Sequence, residues 1–220
     1  MPDEEPLRSA REAVCEYGRA LLEDDLTIGT GGNVSVASGD GLVAVSPSGI
    51  PYEDVEPGDV PVLELDGEPV FDPTEASSET PMHLRLYRER PEIGAVVHTH
   101  SPYATTFASL GEPIPASHYL VAFAGTHVPV STYETYGTDA LGRAAAETLG
   151  SAFDACLLRN HGVIAVGEDV ESAFETALMV EFVARIEYQA RGIGEPGYLP
   201  DDEIREVRER FRDYGQSGSQ

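Results

Sequence analysis

Leu7, Ala10, Val14, Tyr17 and Leu21 fall three or four residues apart, so residues 6 to 24 predict an amphipathic helix at the start of the fold. The rhythm then shortens to two. Val34 and Val36 alternate with Ser35, and an apolar run at 42–45 follows Gly39-Asp40-Gly41, which predicts a β-hairpin. A second hairpin is predicted from residues 60–65, the turn Asp66-Gly67 and residues 68–71. Ser77-Ser78-Glu79-Thr80-Pro81 joins a serine cap to an acid and an early proline, a helix start, and Pro91 ends that helix near Arg90. Gly94-Ala95-Val96-Val97-His98 predicts a buried strand, and Ser101-Pro102 starts a short helix. Val128 and Val130 predict a further strand, residues 138–149 a helix, and residues 155–166 a strand pair broken by Asn160-His161-Gly162. A long amphipathic helix over 169–191 is followed by a break at Gly192, Gly194, Pro196 and Gly197, then by a last helix near 201–213. Strands mixed with helices and early hairpins imply a mainly antiparallel or mixed sheet covered by helices, in one α/β domain.

At 220 residues the chain is long enough for one substantial core. Its charge is extreme, with 39 Asp+Glu against 14 Lys+Arg and a net charge of -25. All the basic residues are arginine. The acid is spread along the chain, which suits a solvated, halophilic surface in a salty cytosol, where ~1 M salt screens repulsion within a few ångströms. The competing interpretation is a surface that binds cations or a basic partner. Nucleic acid is excluded as a partner, since phosphate backbones require a basic face. The absence of lysine also closes two reaction classes: imine-forming aldolases or decarboxylases, and pyridoxal-phosphate enzymes. Cys15 and Cys156 lie in apolar segments without C-x-x-C spacing and are expected to be buried thiols. The opening Met-Pro-Asp-Glu-Glu is the reverse of a cationic signal peptide, and no apolar run is long enough to span a bilayer. A cytoplasmic protein without membrane contact is expected.

Chemistry concentrates in few places. In His98-Thr99-His100 the imidazoles are two residues apart, so on a strand both face one side and can meet one ion. His161, in a tight Asn-His-Gly turn between apolar stretches, is a candidate third ligand. Three protein ligands with an open position would be a catalytic rather than a structural zinc pattern. Glu79 sits in a first helical turn, where the dipole favours an anion and where a glutamate can also be a simple cap. His83, four residues on, is read as an exposed helix histidine, and His118 and His127 have no motif around them. Residues 30–33, 46–49 and Ser77-Ser78 have the small residues of phosphate cradles, though singly each is an ordinary turn. None is a P-loop or a dinucleotide fingerprint.

In order along the chain stand Thr-Gly-Gly-Asn-Val-Ser, Ser-Pro-Ser-Gly-Ile-Pro-Tyr, Ser-Ser-Glu, Val-Val-His-Thr-His and Asn-His-Gly. From about residue 8 to Tyr214-Gly215 the chain thereby resembles the class II L-fuculose-1-phosphate aldolases of the class II aldolase and ribulose-5-phosphate epimerase superfamily. The resemblance implies a three-layer α/β/α sandwich around a nine-stranded, mainly antiparallel sheet. It also implies a cyclic homotetramer with active sites between subunits. It assigns His98, His100 and His161 as ligands of one Zn2+ per subunit, with Glu79 as acid/base and fourth ligand. Thr30, Gly32, Asn33, Ser48, Gly49, Ser77 and Ser78 would bind the substrate phosphate. Tyr119 would serve a neighbouring subunit's site, and Tyr214, on a tail of about 192–220, would close over the substrate. Ser48 replaces a common threonine, and Tyr136 stands where phenylalanine is expected. The implied reaction is reversible cleavage of a ketose 1-phosphate to dihydroxyacetone phosphate and a small aldehyde. Ribulose-phosphate 4-epimerases commonly have an aspartate where Glu79 stands and an acid in the segment held here by Ser117-His118-Tyr119. Methylthioribulose-1-phosphate dehydratases share the histidines and an acid, and a non-catalytic zinc-binding protein of this fold is the alternative outside enzymology.

Overall fold

A computed structural model describes residues 4–38 and 41–216, with side chains described over 7–38 and 41–211. Six helices, α1 (Glu4–Glu23), α2 (Thr80–Glu89), α3 (Pro102–Leu110), α4 (Asp139–Leu149), α5 (Val170–Ile193) and α6 (Asp201–Gln216), accompany seven strands. The strands are β1 (Asn33–Ala37), β2 (Leu42–Val45), β3 (Val62–Glu64), β4 (Pro69–Phe71), β5 (Ala95–Thr99), β6 (Ala155–Leu158) and β7 (Gly162–Gly167). They form one sheet in the order β4-β3-β2-β1-β5-β7-β6, with every ladder antiparallel.

Because strand side chains alternate, nearly every buried strand supplies two cores at once. Ala44, Val97, Leu157, Val163 and Ala165 join the cluster beneath α1, α3 and α5, to which Ile204 of α6 also belongs. Val45, Val96, Cys156, Leu158, Ile164 and Val166 join the opposite cluster beneath α2 and α4. The molecule is therefore a three-layer α/β/α sandwich in one domain. Fully burying a residue such as Leu157 or Ile164 is worth about 1.5–3 kcal/mol, and both are wholly inaccessible. Cys15 and Cys156 are free and buried, as expected.

Two expectations are corrected. The sheet has seven strands among the described residues, not nine, because Ile114, Val128 and Val130 make only isolated bridges, Ile114 to Val128 and Val130 to Leu157. Pro113, Pro115 and Pro129 surround these positions, and proline cannot donate to a ladder. His83 is fully buried rather than exposed, because α2 turns Glu79, His83 and Tyr87, spaced four apart, toward β1. Among the described residues no helix is long and apolar enough to cross a membrane.

Candidate metal centre and active site

The register of β1 on β5 sets Asn33 opposite His98, and β7 places Ile164 on the other side of His98. His98 shares its sheet face with Val96, the face covered by α2. The start of α2 brings in Glu79, and the β6–β7 turn brings in His161. One carboxylate and three imidazoles thus meet at the end of β5 from three separate stretches of chain. Their ligand atoms all lie within 4.8 Å of one another.

Inside this cluster, Glu79 Oε2 lies 3.1 Å from His98 Nε2, and Oε1 lies 3.2 Å from His161 Nε2. The Asn33 amide donates to Glu79 Oε2 at 2.9 Å. His98 Nδ1 is 2.7 Å from the Val163 carbonyl, which can only accept, so the proton is on Nδ1 and Nε2 presents a lone pair. That lone pair faces His100 Nε2 at 3.0 Å. Glu79 Oε1 is buried and lacks a hydrogen bond despite its nearness to His161. Converging nitrogen lone pairs and an unsatisfied carboxylate oxygen are a donor set that a divalent cation fits.

The protonation equilibria of Glu79, His100 and His161 point the same way. Burial, then the neighbouring His98, pull His100 and His161 down to about 4, so both are bare bases at neutral pH. Burial alone would raise the Glu79 carboxyl, but His98, His161 and Asn33 outweigh it and hold the group well below the ordinary carboxylate range. His98 runs against them, since Glu79 and the Val163 carbonyl outweigh its burial and move it upward, so a cation on Nε2 would displace a proton that Glu79 favours there.

Glycine permits the approach of the ligands. A Cβ on Gly162 would come within 2.2 Å of the Thr99 carbonyl and 3.0 Å of the His100 ring. Gly32 has φ +66, and a Cβ there would lie 2.7 Å from the His98 carbonyl. The loop carrying Gly32 is braced by Tyr52, whose hydroxyl donates to the Gly32 carbonyl at 3.0 Å. On the far side, Glu181 of α5 accepts from the amides of Tyr103 and Ala104 at 2.9 Å each, fixing α3 directly after His100. Tyr52 lay inside a recognised motif, but Glu181 had no local signal, since its partners are 77 and 78 residues away.

Ser46 to Gly49 and Glu75 to Ser78 run side by side, joined by Ser48 N to Glu75 O (2.7 Å) and Ser77 N to Ser46 O (2.9 Å). Ser48, Gly49, Ser77 and Ser78 are thereby brought together beside Glu79. Asn33 turns its amide to Glu79, Gly32 abuts His98, and Thr30 is exposed on the same loop. A cavity of about 310 Å³ opens above the cluster, with Glu79, His100 and His161 at its floor and Tyr133, Glu134 and Tyr136 along its wall. A larger cleft of about 550 Å³ beside α6, lined by His127, shares no residue with the Glu79, His98, His100 and His161 cluster, and its Arg205 and Arg208 are already paired with Asp201 and Asp154. Tyr119 is not brought to this cavity: it is 46% exposed in the 3-10 turn Tyr119–Phe123, beside His118 and Phe211. The Tyr214 side chain lies outside the described residues.

The comparisons agree with this geometry. The sequence model of the family described as Class II Aldolase and Adducin N-terminal domain matches residues 12–188. The 5-deoxy-D-ribulose 1-phosphate aldolase of Bacillus thuringiensis serovar kurstaki is 48% identical over 96% of this chain and 99% of its own. The 5-methylthioribulose-1-phosphate/5-deoxyribulose-1-phosphate aldolase of Rhodospirillum rubrum is 41% identical over 93% and 92%. A solved L-fuculose 1-phosphate aldolase superposes with a TM-score of 0.90 at 41% identity, covering 93% of this chain and 96% of that one. With the motifs, the layered sheet and the Glu/His3 cluster all in agreement, the chain belongs to the class II aldolase family, as an enzyme of the lyase class.

Proposed function

We propose that the protein is a zinc-dependent aldolase that reversibly cleaves a ketose 1-phosphate to dihydroxyacetone phosphate and a small aldehyde. The observation that carries this is the position of Glu79, in contact with His98, His161 and Asn33 at the floor of an open cavity. His98, His100, His161 and Glu79 would hold the ion, and imidazole donors suit zinc. Bound there, it would act as a Lewis acid toward substrate oxygens, an effect worth several kcal/mol.

The chain's own groups perform the rest. Cleavage between C3 and C4 leaves a carbanion at C3 of dihydroxyacetone phosphate, conjugated with its carbonyl. Glu79 returns the C3 proton during cleavage and removes it during synthesis. A carboxylate held ionised at neutral pH serves as that base, and the Asn33 amide keeps one oxygen in place. The hydroxyls of Thr30, Ser48, Ser77 and Ser78, with the amides of Gly32, Asn33 and Gly49, bind the phosphate, as loops of small residues can. Tyr119 is exposed in its own chain. It acts in a neighbour's site of a cyclic homotetramer, passing a proton to the aldehyde oxygen, while the tail with Tyr214 closes over the substrate. Glu79 in place of aspartate favours carbon–carbon cleavage over epimerisation.

Glu79→Gln tests the reading. Exchange of the C3 proton of dihydroxyacetone phosphate with solvent should fall at least ~10²-fold, the lower range for a lost acid/base group. Metal content should largely persist on the three histidines. Undiminished exchange would remove Glu79 from the mechanism, and a wild-type protein without exchange or condensation would overturn the aldolase assignment.

A further inference from the structure

The wall of the cavity opposite the histidines is built by residues 132–138, a loop held at both ends. At its start, Ser131 N donates to the Leu157 carbonyl at 2.8 Å, tying it to β6. At its end, Thr138 caps α4 and its hydroxyl donates to the Thr135 carbonyl at 2.6 Å. Gly137 lies so close to the α2 N-terminus that a Cβ would come within 3.1 Å of the Ser78 carbonyl. The side chains this loop turns to the cavity are therefore placed, not free to swing away with it.

Glu134 is one of them, between Tyr133 and Tyr136. It is half-buried, and among the described residues it forms no hydrogen bond or ion pair. Partial removal of a carboxylate from water without a partner is unfavourable, and a hydroxyl of a ligand in the cavity can supply that partner. Glu79 is a second acid in the same lining, which among the described residues includes no arginine. Arg159, next to Asn160, lies against Gly111 instead: a Cβ on Gly111 would be 2.7 Å from its guanidinium carbon.

We infer that Glu134 reads the end of the substrate remote from its phosphate and selects ketose 1-phosphates whose aldehyde fragment carries no negative charge. This rests on the aldolase reading. A second phosphate or a carboxylate on the fragment would meet Glu134 with no arginine in the described lining to compensate it, the proposed ion being engaged on the opposite, histidine side, and like charges so placed discriminate strongly. Hydroxyls of a neutral fragment can donate to Glu134, and the rings of Tyr133 and Tyr136 offer apolar surface to a deoxygenated or alkyl terminus. The hydroxyl and amide cluster of Ser48 and Ser77-Ser78 takes the single phosphate at the other end. The substrate class is thus a monophosphate with a neutral tail, and sugar bisphosphates are rejected.

The test compares condensation of dihydroxyacetone phosphate with lactaldehyde, a neutral acceptor, and with glyceraldehyde 3-phosphate, an anionic one. Wild type should strongly prefer lactaldehyde. In Glu134→Gln the ratio of anionic to neutral kcat/KM should rise at least ~10-fold, with a larger rise in Glu134→Arg, a tenfold change being 1.4 kcal/mol. In wild type alone, raising KCl from ~0.1 M to ~2 M should raise the same ratio, since screening shortens from about 10 Å to a few ångströms. Exchange of the C3 proton needs no aldehyde and reports whether each variant has an intact site. An unchanged ratio in variants that still exchange overturns the role of Glu134 and leaves the aldolase reading standing. If a variant cannot be made, a ratio flat with salt in wild type overturns it equally. Absence of exchange in wild type sinks the aldolase reading itself.

Discussion

At the scale of single residues, the histidines of the cluster are not equivalent. His98 is fully inaccessible and donates to the Val163 carbonyl, while the side chain of His161 is 13% exposed and its Nδ1 has no partner. Wild type should bind one divalent ion per chain, with zinc preferred. His98→Ala and His161→Ala should both lose it, seen by metal analysis after dialysis. They should differ in stability. His98→Ala removes a fully buried hydrogen bond to the Val163 carbonyl, in a strand paired on both sides, and should cost about 0.5–1.5 kcal/mol more, measured by urea unfolding of the metal-free proteins. Full metal retention in both variants would remove the histidine assignment. The His98-Thr99-His100 spacing was legible in the sequence because a strand's period of two puts both rings on one face. The tautomer of His98 was not, because the Val163 carbonyl that fixes it arrives from β7, 65 residues away.

At the scale of elements, α2 supplies more than Glu79. Ser35 Oγ lies 2.7 Å from His83 Nδ1 and 2.9 Å from the Tyr87 hydroxyl, which itself donates to the Ser35 carbonyl at 2.9 Å. A polar ladder thus runs from the site down the α2–β1 interface, fixing the helix that presents Glu79. Burial, followed by the nearby His98, depresses His83 to about 3. In the unfolded chain a histidine titrates near 6.5. Below that pH the unfolded state takes up a proton that the folded state refuses. His83 therefore contributes its full stability above about 6.5 and loses it as pH falls toward 3. The slope approaches about 1.4 kcal/mol per pH unit. His83→Gln keeps polar groups but cannot titrate, so wild type should lose stability relative to the variant across that window in urea unfolding at stepped pH. A constant difference would mean that His83 titrates normally. The sequence placed His83 on the Glu79 face, yet read it as exposed, because periodicity tells which residues share a face and not what covers it.

At the scale of the whole molecule, the dominant fact is a net charge of -25. The described arginines are largely committed to neighbouring acids, many in exposed i,i+4 helix pairs worth only a few tenths of a kcal/mol. The remaining carboxylates repel, and screening should relieve this. We propose the surface is a salt adaptation, so the thermal midpoint should climb as KCl goes from ~0.1 M to ~3 M, followed by circular dichroism. A flat or falling midpoint would favour a basic partner instead. The sequence by itself determined a mainly antiparallel or mixed sheet covered by helices, since two-residue and four-residue periods decide which side chains each element can bury, and its family resemblance implied the three layers. It determined the reaction class too, because the lack of lysine closes imine chemistry and the ordered motifs carry the residues of the Glu/His3 cluster. Only the tertiary structure decided the rest. Proline-flanked apolar segments that looked like strands form single bridges, because a ladder needs consecutive donors. Glu134 joins Glu79 at one cavity, and Glu181 secures the helix after His100, through contacts between stretches far apart in the chain. Local pattern fixes what each segment can form, whereas distance between residues distant in sequence is fixed only when the layers close.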